Sequence, residues 1–344
     1  DDLPSAGYAL TGSPPDVTGF PPSEIPIIYP PKLAVLDTAL LRDEDDDPGV
    51  YVGAAPALPS DEWGGALVSK SASVDSGFVA VADVPLPTLL GVAFNELPAP
   101  SDWTEWDRDS VLYVRLDRDE TLTSSTEDDV LDDYSENLFA LSNPNGGWEL
   151  CQFVSAVQTG EREWYLSTLL RGRLGTEQHR EGHASGDRFV FLTEATVATA
   201  SYPASEIGAT RYYRATGSGI APVGPATEVV QTTRRLLPYA PFDVNVTRDG
   251  SGNITITWVR RSRSPGPFLW DSPLFEDEEA YQVVITELYS EVRVIETTSE
   301  SASYTAAMQI ADFGGLVAEG SLNVVVYQIS NAVGRGYPAE AFDL

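Results

Sequence analysis

Short apolar or alternating runs, separated by turn residues, recur from Leu33 to the end of this sequence and restrict what it can fold into. The clearest run is SVLYVRL, residues 110–116, whose residues alternate between two faces. One face would carry Leu112, Val114 and Leu116, and the other Val111, Tyr113 and Arg115. This period of two predicts a half-buried β-strand. With 28 glycines and 25 prolines to supply turns, the pattern predicts an all-β fold of the sandwich or barrel type.

Three segments differ in composition and rhythm. Residues 1–32 are rich in proline and lack periodicity, which predicts an extended linker or a strap lying on another domain. Residues 33–233 carry short strands throughout and predict a β-sandwich or barrel-like region of one domain or two. We favour one interleaved unit, because no linker-like stretch interrupts them. Residues 238–344, which follow RRLLPYAP, have the size, strand count and early core tryptophan (Trp258) of a fibronectin type III-like sandwich.

Helical spacing is confined to one short segment. In EDDVLDDYSENLFAL, residues 127–141, the apolar side chains recur at a roughly helical interval. These side chains are Val130, Leu131, Tyr134, Leu138 and Leu141. The segment therefore predicts one short helix, whereas SYTAAMQ, residues 303–309, is interpreted as a strand of the C-terminal sandwich.

The charge balance excludes some partners. The chain carries 52 acidic and 21 basic residues, a net charge of -31, so it would repel nucleic acid and anionic lipid. No apolar stretch has the length of a membrane helix. Cys151, the single cysteine, excludes an intrachain disulfide and is expected to be buried in the strand WELCQFVSAV. Because the sequence begins at Asp1 and its one methionine is internal, we expect a piece of a longer protein.

The two histidines of the chain, His179 and His183, lie four residues apart in HREGH with Glu181 between them. Two histidines at this spacing on a helix can bind zinc, but the segment does not match HExxH and Gly182 disfavours a helix. No further histidine exists to supply a third ligand. We therefore predict no metal and no cofactor here. The alternative interpretation is a strand that leaves through a glycine-rich turn and returns as RFVFL, with His183 bracing the connection.

Two acidic segments are candidate sites. LRDEDDDPG, residues 41–49, lacks the spacing of a calcium-binding loop and predicts a solvated acidic loop. FEDEEAY, residues 275–281, follows the arginines of WVRRSR. We expect Arg260, Arg261 and Arg263 to pair with Glu276, Glu278 or Glu279. Such pairs would anchor the loop between the two segments, which carries Phe268 and Trp270.

Aromatic side chains offer a different kind of site. Exposed rings in sandwich domains can stack on sugars, and the candidates are Trp63, Trp103, Trp106, Phe268 and Trp270. Catalysis is harder to support, because nothing among the 52 acids selects the carboxylate pair of a glycoside hydrolase. The sequence also lacks a glycine-rich phosphate loop, a GxSxG elbow and a CxxC pair. We predict no catalytic residues and no enzymatic activity.

Several segments, in order, resemble a known family. They are LDTALLRDEDDDPGVYVGAA, GGWELCQF, LSTLLRGRLGTEQHREGHASGDRFVFL, WVRRSR, EDEEAYQVVI, SYTAAMQIADFG and VVVYQISNAVGRGYPAE. With them the chain resembles the C-terminal part of the large tail-hub (baseplate, "megatron"-type host-specificity) protein of gene transfer agents and related long-tailed phages. The most specific pattern, LLRGxxGTE...H..G.RFV, falls on Leu169, Leu170, Arg171, Gly172, Gly175, Thr176, Glu177, His183, Gly186, Arg188, Phe189 and Val190.

The resemblance implies a virion structural protein at the distal tail tip. It implies a structural turn motif made of Arg171, Gly172, Gly175, Thr176, Glu177, His183 and Gly186, in which the position of His179 has no part. Its implied partners are other tail-tip proteins, the tail tube and a host receptor or glycan, with a homotrimer in the intact particle. The alternative function is a carbohydrate-binding module that docks on host surface polysaccharide through the aromatic residues named above.

Overall fold

The computed structural model describes residues 29–59, 62–218, 223–264, 274–287 and 290–342. The first strands are β1 (Lys32–Leu36), β2 (Gly49–Ala55), β3 (Ala66–Ser71) and β4 (Val79–Val84). Then follow β5 (Leu89–Ala93), β6 (Asp107–Leu116), β7 (Leu138–Ser142), β8 (Trp148–Gly160), β9 (Glu163–Leu170) and β10 (Arg188–Phe191). The next are β11 (Ala198–Ser201), β12 (Thr210–Gly217) and β13 (Thr227–Val230). The last are β14 (Phe242–Arg248), β15 (Ile254–Val259), β16 (Tyr281–Glu287), β17 (Ser290–Thr297), β18 (Ser301–Tyr304), β19 (Asn323–Ser330), β20 (Gly334–Arg335) and β21 (Ala339–Phe342).

Strands β1 to β4 and β11 to β13 form two sheets that pack as a sandwich. The outer sheet has the order β13-β12-β3-β4, and the central sheet has the order β1-β2-β11. Strand β2, GVYVGAA, is buried along its whole length because both of its faces are covered. Val50 and Val52 face the outer sheet, while Tyr51 packs with residues on the outside of the barrel described next. A continuous apolar run is what a strand buried on both faces requires.

Strands β5 to β10 close into a six-stranded barrel of order β10-β5-β6-β9-β8-β7. Its interior holds one of the two predicted faces of SVLYVRL, the face with Leu112, Val114 and Leu116, together with the rings of Phe139, Phe153 and Phe189. The ring centroids of Phe139 and Phe189 are 5.1 Å apart. Because the chain leaves the sandwich after β4 and re-enters it at β11, the barrel is inserted into the sandwich.

The C-terminal unit is a sandwich of two antiparallel sheets. The sheet β14-β15-β18 faces the sheet β17-β16-β19, and β20 and β21 both pair with β19. Trp258 on β15 lies in the core between them, 5.1 Å from the Tyr281 ring in an edge-on contact. This is a fibronectin type III-like arrangement. The described residues are nearly all β-structure, so the predicted fold class is confirmed.

The helix prediction was partly wrong. Helix α1 spans only Glu127–Asp132, and its N-cap residue Thr126 accepts a hydrogen bond from the Asp129 backbone amide. Leu138 and Leu141 lie instead in β7, which is buried on both faces. Such a strand has apolar residues on both faces, and in this segment their spacing happened to match that of an amphipathic helix.

A second helix was missed. Helix α2 spans Ala306–Phe313 and includes part of SYTAAMQ, so the prediction of a strand there is correct only for β18. Thr305 accepts a hydrogen bond from the Met308 amide at its start, and Gly314 ends it with a positive φ. Neither helix in the described residues has the length and hydrophobicity to span a membrane.

The connection between the barrel-bearing sandwich and the C-terminal sandwich is largely buried. It contains a short 3-10 turn, Arg234–Leu236, and the side chains of Arg235, Leu236 and Tyr239 are almost inaccessible to solvent. The predicted proline-rich strap lies, for residues 1–28, outside the described residues, and so do Phe268 and Trp270.

Candidate functional site

The turn motif of the sequence connects β9 to β10 through two 3-10 turns, Arg173–Gly175 and Glu177–His179. Gly172 and Gly175 both have positive φ angles, of 59° and 74°. A Cβ on Gly172 would overlap the Glu177 backbone, and a Cβ on Gly175 would overlap the ring of Tyr239. The tight path of the motif therefore requires glycine at both positions.

The guanidinium of Arg171 is fully buried and forms a bidentate salt bridge with the carboxylate of Glu149 on β8. Its Nε and Nη2 donate to the two oxygens of Glu149, each over 2.8 Å. Nη1 donates to the carbonyl of Pro98 over 2.9 Å and to Asp107 over 3.3 Å, and Nη2 also donates to the carbonyl of Arg180 over 3.1 Å. All five N–H groups of Arg171 are used, as a buried guanidinium requires.

His183 completes this network on the other side of Glu149. Its Nε2 lies 2.8 Å from Glu149 Oε2, and its Nδ1 lies 3.1 Å from the Ser142 carbonyl and 3.2 Å from Asp187 Oδ2. Because both ring nitrogens face acceptors, the imidazolium form, which donates from both, fits the site. The predicted bracing by hydrogen bonds is seen in these contacts.

The pKa shifts in this network follow from burial and charge. Burial opposes ionisation of Glu149, but the hydrogen bond from His183 and the charge of Arg171 outweigh it and lower the pKa of Glu149. Burial likewise opposes protonation of His183, but its hydrogen bond to Glu149 and the charge of that carboxylate raise the pKa of His183. Burial, reinforced by the charge of Glu149, raises the pKa of the Cys151 thiol well above its usual value.

His179 has a different environment from His183. Burial and the nearby charge of Arg234 lower the pKa of His179 to about 4, and its Nε2 accepts a hydrogen bond from Arg234 Nη1 over 2.7 Å. The two histidines thus contact different protein partners, Arg234 for His179 and Glu149, Ser142 and Asp187 for His183. In the part of the chain that the structure describes, no three His, Cys, Asp or Glu side chains are grouped to hold a metal ion.

Other motif residues connect the barrel to its neighbours. The hydroxyl of Thr176 accepts from the Leu150 amide over 2.9 Å, and the Gly186 amide donates to the Ala93 carbonyl over 2.8 Å. The carboxylate of Glu177 accepts hydrogen bonds from Arg261, two residues beyond the end of β15. The motif therefore holds the barrel, the buried connection and the C-terminal sandwich together.

The acidic segment 41–49 takes part in the same junction. Asp45 is buried and pairs with Arg42 over 2.7 Å. Asp46 pairs with Arg263 over 2.6 Å. Asp47 pairs with the fully buried Arg235. The prediction of a solvated loop was therefore wrong for Asp45, which is buried. The side chains of Asp46 and Asp47 are 37% and 49% exposed, and they supply counter-charges to the buried arginines of later segments.

The predicted pairing of the WVRRSR arginines with FEDEEAY is confirmed for two of the three. Arg263 Nε lies 2.6 Å from Glu276, and Arg260 Nη1 lies 3.7 Å from Glu279. Arg261 instead reaches across to Glu177 of the turn motif. The loop residues that these pairs were expected to anchor lie outside the described part of the chain.

The described tryptophans proposed to bind sugar are half-buried. The guanidinium of Arg261 lies 5.2 Å from the ring centroid of Trp103, and that of Arg108 lies 5.9 Å from Trp106. Trp63 packs against the core of the first sandwich and donates from its indole nitrogen to the Pro85 carbonyl over 3.0 Å. Sugar binding by these residues stays a prediction.

Three members of the buried network escaped the sequence analysis: Glu149, Asp107 and Asp187. A signal existed for Glu149, since it is a charged residue inside the otherwise apolar run WELCQFV, and Arg171 follows the apolar run LSTLL. Buried charges need partners of opposite sign, so these two could have been matched to each other. No comparable pattern marks Asp107, which fold topology brings to the site, whereas Asp187 lies only four residues after His183 in the same turn.

The arrangement is suited to holding structure. Glu149 is completely buried, and its two oxygens accept four hydrogen bonds, two from Arg171 and one each from Gly172 and His183. A carboxylate offers about four acceptor positions, so those of Glu149 are filled. The role of this network is to fix the path of the turn motif.

Comparisons with known proteins add one family match. Residues 88–190, which contain the whole turn motif and all of the barrel strands except Phe191, match the family model described as Rcc01698-like, C-terminal. No curated protein sequence matches the chain.

Solved structures with low overall similarity include domains of three other proteins. Two fibronectin type III domains of chicken tenascin match with 9% identity over 73% of this chain and 98% of that one, at a TM-score of 0.21. The FN1–FN3 domains of chicken CNTN1 match with 11% identity over 92% and 99%, at 0.22. Domains d3–d4 of rat CD45 match with 12% identity over 35% and 55%, at 0.22. These scores are too low to establish a shared overall fold, and the strand order alone defines the C-terminal unit.

Proposed function

We propose that this chain is a structural part of the tail tip of a phage or gene transfer agent particle, where it links the tail to host-facing parts. The observation that carries the proposal is the match of residues 88–190 to the Rcc01698-like C-terminal family, a family name associated with gene transfer agents. The turn motif that carries the resemblance to tail-hub proteins lies entirely within the same residues.

The geometry of the junction supports a mechanical role. Arg171 and Glu149 fix the turn motif from inside, and Glu177–Arg261 and Asp46–Arg263 tie the C-terminal sandwich to the rest. Breaking a buried ion pair leaves an uncompensated charge, so such pairs hold packed units in one relative arrangement. A component that transmits force between a tail and a cell surface needs this rigidity.

The proposal includes partners and a location. The partners are other tail-tip proteins, the tail tube and a receptor or glycan on the host surface, and the proposed assembly in the particle is a homotrimer. The proposed location is the distal end of the tail, with no enzymatic activity in this chain. The net charge of -31 would limit non-specific adhesion to anionic cell surfaces until a specific contact forms.

Immunogold electron microscopy tests the location. Antibody raised against the complete chain is applied to purified phage-like particles from the source cells, with pre-immune antibody on the same particles as the control. We expect gold at one end of the tail. Particles that carry no gold, while the same antibody detects the protein in the cell extract, would contradict the proposal.

A further inference from the structure

An exposed row of apolar side chains begins one residue beyond β5 and crosses β6, β9 and β8 on the outside of the barrel. We call it the aromatic strip, and it consists of Phe94, Tyr113, Tyr165 and Val157. Tyr113 pairs directly with Tyr165, and Tyr165 with Val157, while the Phe94 amide donates to the Tyr113 carbonyl. The exposed fractions of the four side chains are 40%, 37%, 41% and 54%. Contiguous exposed apolar side chains mark interaction surfaces.

The strip is ordered by its own contacts. The rings of Tyr113 and Tyr165 stack with centroids 4.1 Å apart. The guanidinium of Arg115 lies 4.4 Å from the ring centroid of Phe94 and is paired with Glu163 over 3.0 Å. Each of the three rings therefore has one face covered, and the two charges beside the strip neutralise each other. The surface that stays exposed is suited to burial against apolar side chains of a partner.

Both ends of the strip carry exposed carboxylates. At the end where β6 begins, Glu96 follows Phe94 by two residues and Asp109 lies on β6. The described residues give neither of these two carboxylates an ion pair. At the other end, Asp119 and Glu161 are 78% and 82% exposed and share Arg162, whose Nε lies 3.7 Å and 3.8 Å from them. The strip is thus an apolar centre between two acidic ends.

We propose that the aromatic strip binds a protein partner that presents apolar or aromatic side chains flanked by arginine or lysine. The apolar centre supplies most of the binding free energy, and the acidic ends select a basic rim on the partner. The net charge of -31 adds to this selection, because it attracts basic proteins and repels acidic ones before contact. The inference does not depend on the tail-tip role proposed above.

The same features disfavour two other occupants. A second copy of this chain would bring its own acidic ends and its own net charge of -31 to the contact. A sugar chain stacks on open ring faces, whereas Tyr113, Tyr165 and Phe94 each have a face covered by a neighbouring side chain. A basic protein surface fits both the charge and the shape of the strip.

Selection from a library of short random peptides, with the complete chain as bait, tests the proposal. Prior selection against an unrelated acidic protein removes peptides that bind by charge alone. We expect the selected peptides to combine aromatic or aliphatic residues with arginine or lysine. Their Kd should rise on the order of tenfold for the strip variant Tyr113→Ser/Tyr165→Ser. Val79→Ser, on the outer sheet and 68% exposed, is the matched control that leaves the Kd unchanged.

A second variant tests the acidic ends. Asp119→Asn/Glu161→Gln should raise the Kd of the selected peptides about threefold, because two exposed charge contacts are lost. It should also make the Kd less sensitive to added salt. Asp75→Asn/Asp83→Asn removes two exposed carboxylates from the β3–β4 hairpin and is the matched control, with a nearly unchanged Kd.

Four results would overturn the proposal. Selected peptides that bind the strip variant as tightly as the parent, while circular dichroism shows a retained fold, would place their site elsewhere. Neutral or acidic peptides, or a selection that yields none, would argue against a basic partner. An oligomer of the parent chain that the strip variant dissociates in sedimentation would assign the strip to a second copy. A soluble neutral glucan that binds the parent but not the strip variant would assign it to sugar.

Discussion

Tyr239 packs its ring against the α-carbon of Gly175, closer than any other residue type at position 175 would allow. An added Cβ would lie well inside 3.0 Å of three ring carbons, and Gly175 also has a φ of +74°. The turn motif of the barrel and the connection to the C-terminal sandwich therefore fit together through a glycine. This contact joins two parts of the chain that the sequence analysis assigned to different segments.

Replacing Gly175 by alanine should destabilise the protein more than the same change at a matched glycine. Gly182 has a similar φ of +82° but no atom near its added Cβ, so Gly182→Ala pays only the backbone cost of about 1 kcal/mol. Gly175→Ala adds overpacking against Tyr239, worth about 1–3 kcal/mol more. Urea unfolding of the two variants measures the difference in their unfolding free energies. Equal midpoints would show that the Tyr239 ring can move away from an added methyl group at no cost in stability.

Removing the charge of Glu149 should be strongly destabilising. Glu149→Gln leaves Arg171 buried without its main counter-charge, a loss of about 3–5 kcal/mol. The matched control is Glu127→Gln, which breaks the exposed pair with Arg108 and should leave the unfolding midpoint nearly unchanged. Thermal unfolding followed by circular dichroism compares the two, and a similar small effect of both changes would refute the structural role assigned to Glu149.

The raised pKa of His183 predicts a loss of stability at alkaline pH. Its contribution is fully present below the unfolded value of 6.5 and is lost as pH rises through the folded pKa. In His183→Gln that contribution is missing, so the gap in unfolding free energy between parent and variant should narrow as pH rises above 6.5. Urea titrations from pH 6 to 9 measure the gap, and a constant gap would show that His183 is neutral in the folded protein.

The lowered pKa of His179 predicts the opposite dependence. The folded pKa of about 4 lies below the unfolded value of 6.5, so stability is lost as pH falls through this interval. His179→Gln cannot be protonated, and between pH 8 and pH 5 it should lose about 2 kcal/mol less unfolding free energy than the parent. The same titrations carried to pH 5 give this comparison. Parallel curves for parent and variant would argue against a neutral His179.

Cys151 should resist thiol reagents in the folded protein. The side chain is fully buried, and burial together with the charge of Glu149 raises the pKa of its thiol, so little thiolate forms. We expect no reaction with a chromogenic disulfide reagent at pH 8 and one equivalent of released thiolate after addition of urea. Rapid stoichiometric reaction of the native protein would mean that the barrel opens readily.

The sequence predicted those features that depend on local pattern. Alternation in SVLYVRL grouped Leu112, Val114 and Leu116 on one face, and that face lies inside the barrel. The core position of Trp258 followed from the pattern of strands. Pattern-based prediction failed for strands that are buried on both faces, such as β7. Such a strand is apolar at almost every position, so its sequence shows neither the period of two of a strand nor the period of 3.6 of a helix. Prediction failed again at helix α2, whose capping residues Thr305 and Gly314 were the available signal.

The candidate site was predictable only in part for a related reason. Arg171 and His183 were singled out on the turn motif, and the role of His183 as a brace followed from its glycine-rich surroundings. The counter-charges came from other strands and segments: Glu149 from β8, Asp107 from β6 and Asp46 from the acidic segment. Which charges meet is decided by long-range strand pairing, and no local spacing encodes it.

The insertion of the barrel into the first sandwich has a consequence for the order of folding. Strand β2 must wait for β11, and β3 for β12, each more than a hundred residues later in synthesis, whereas the barrel strands all lie between Leu89 and Phe191. Those two end residues are direct partners in the barrel. Once the barrel closes, residues 89 and 191 lie side by side, so the long connection between β4 and β11 acts as a short loop. Most of the conformational entropy that is lost when β11 and β12 return to the sandwich has then been lost already, in barrel closure. The nascent chain can thus complete its middle first and use it to assemble its beginning.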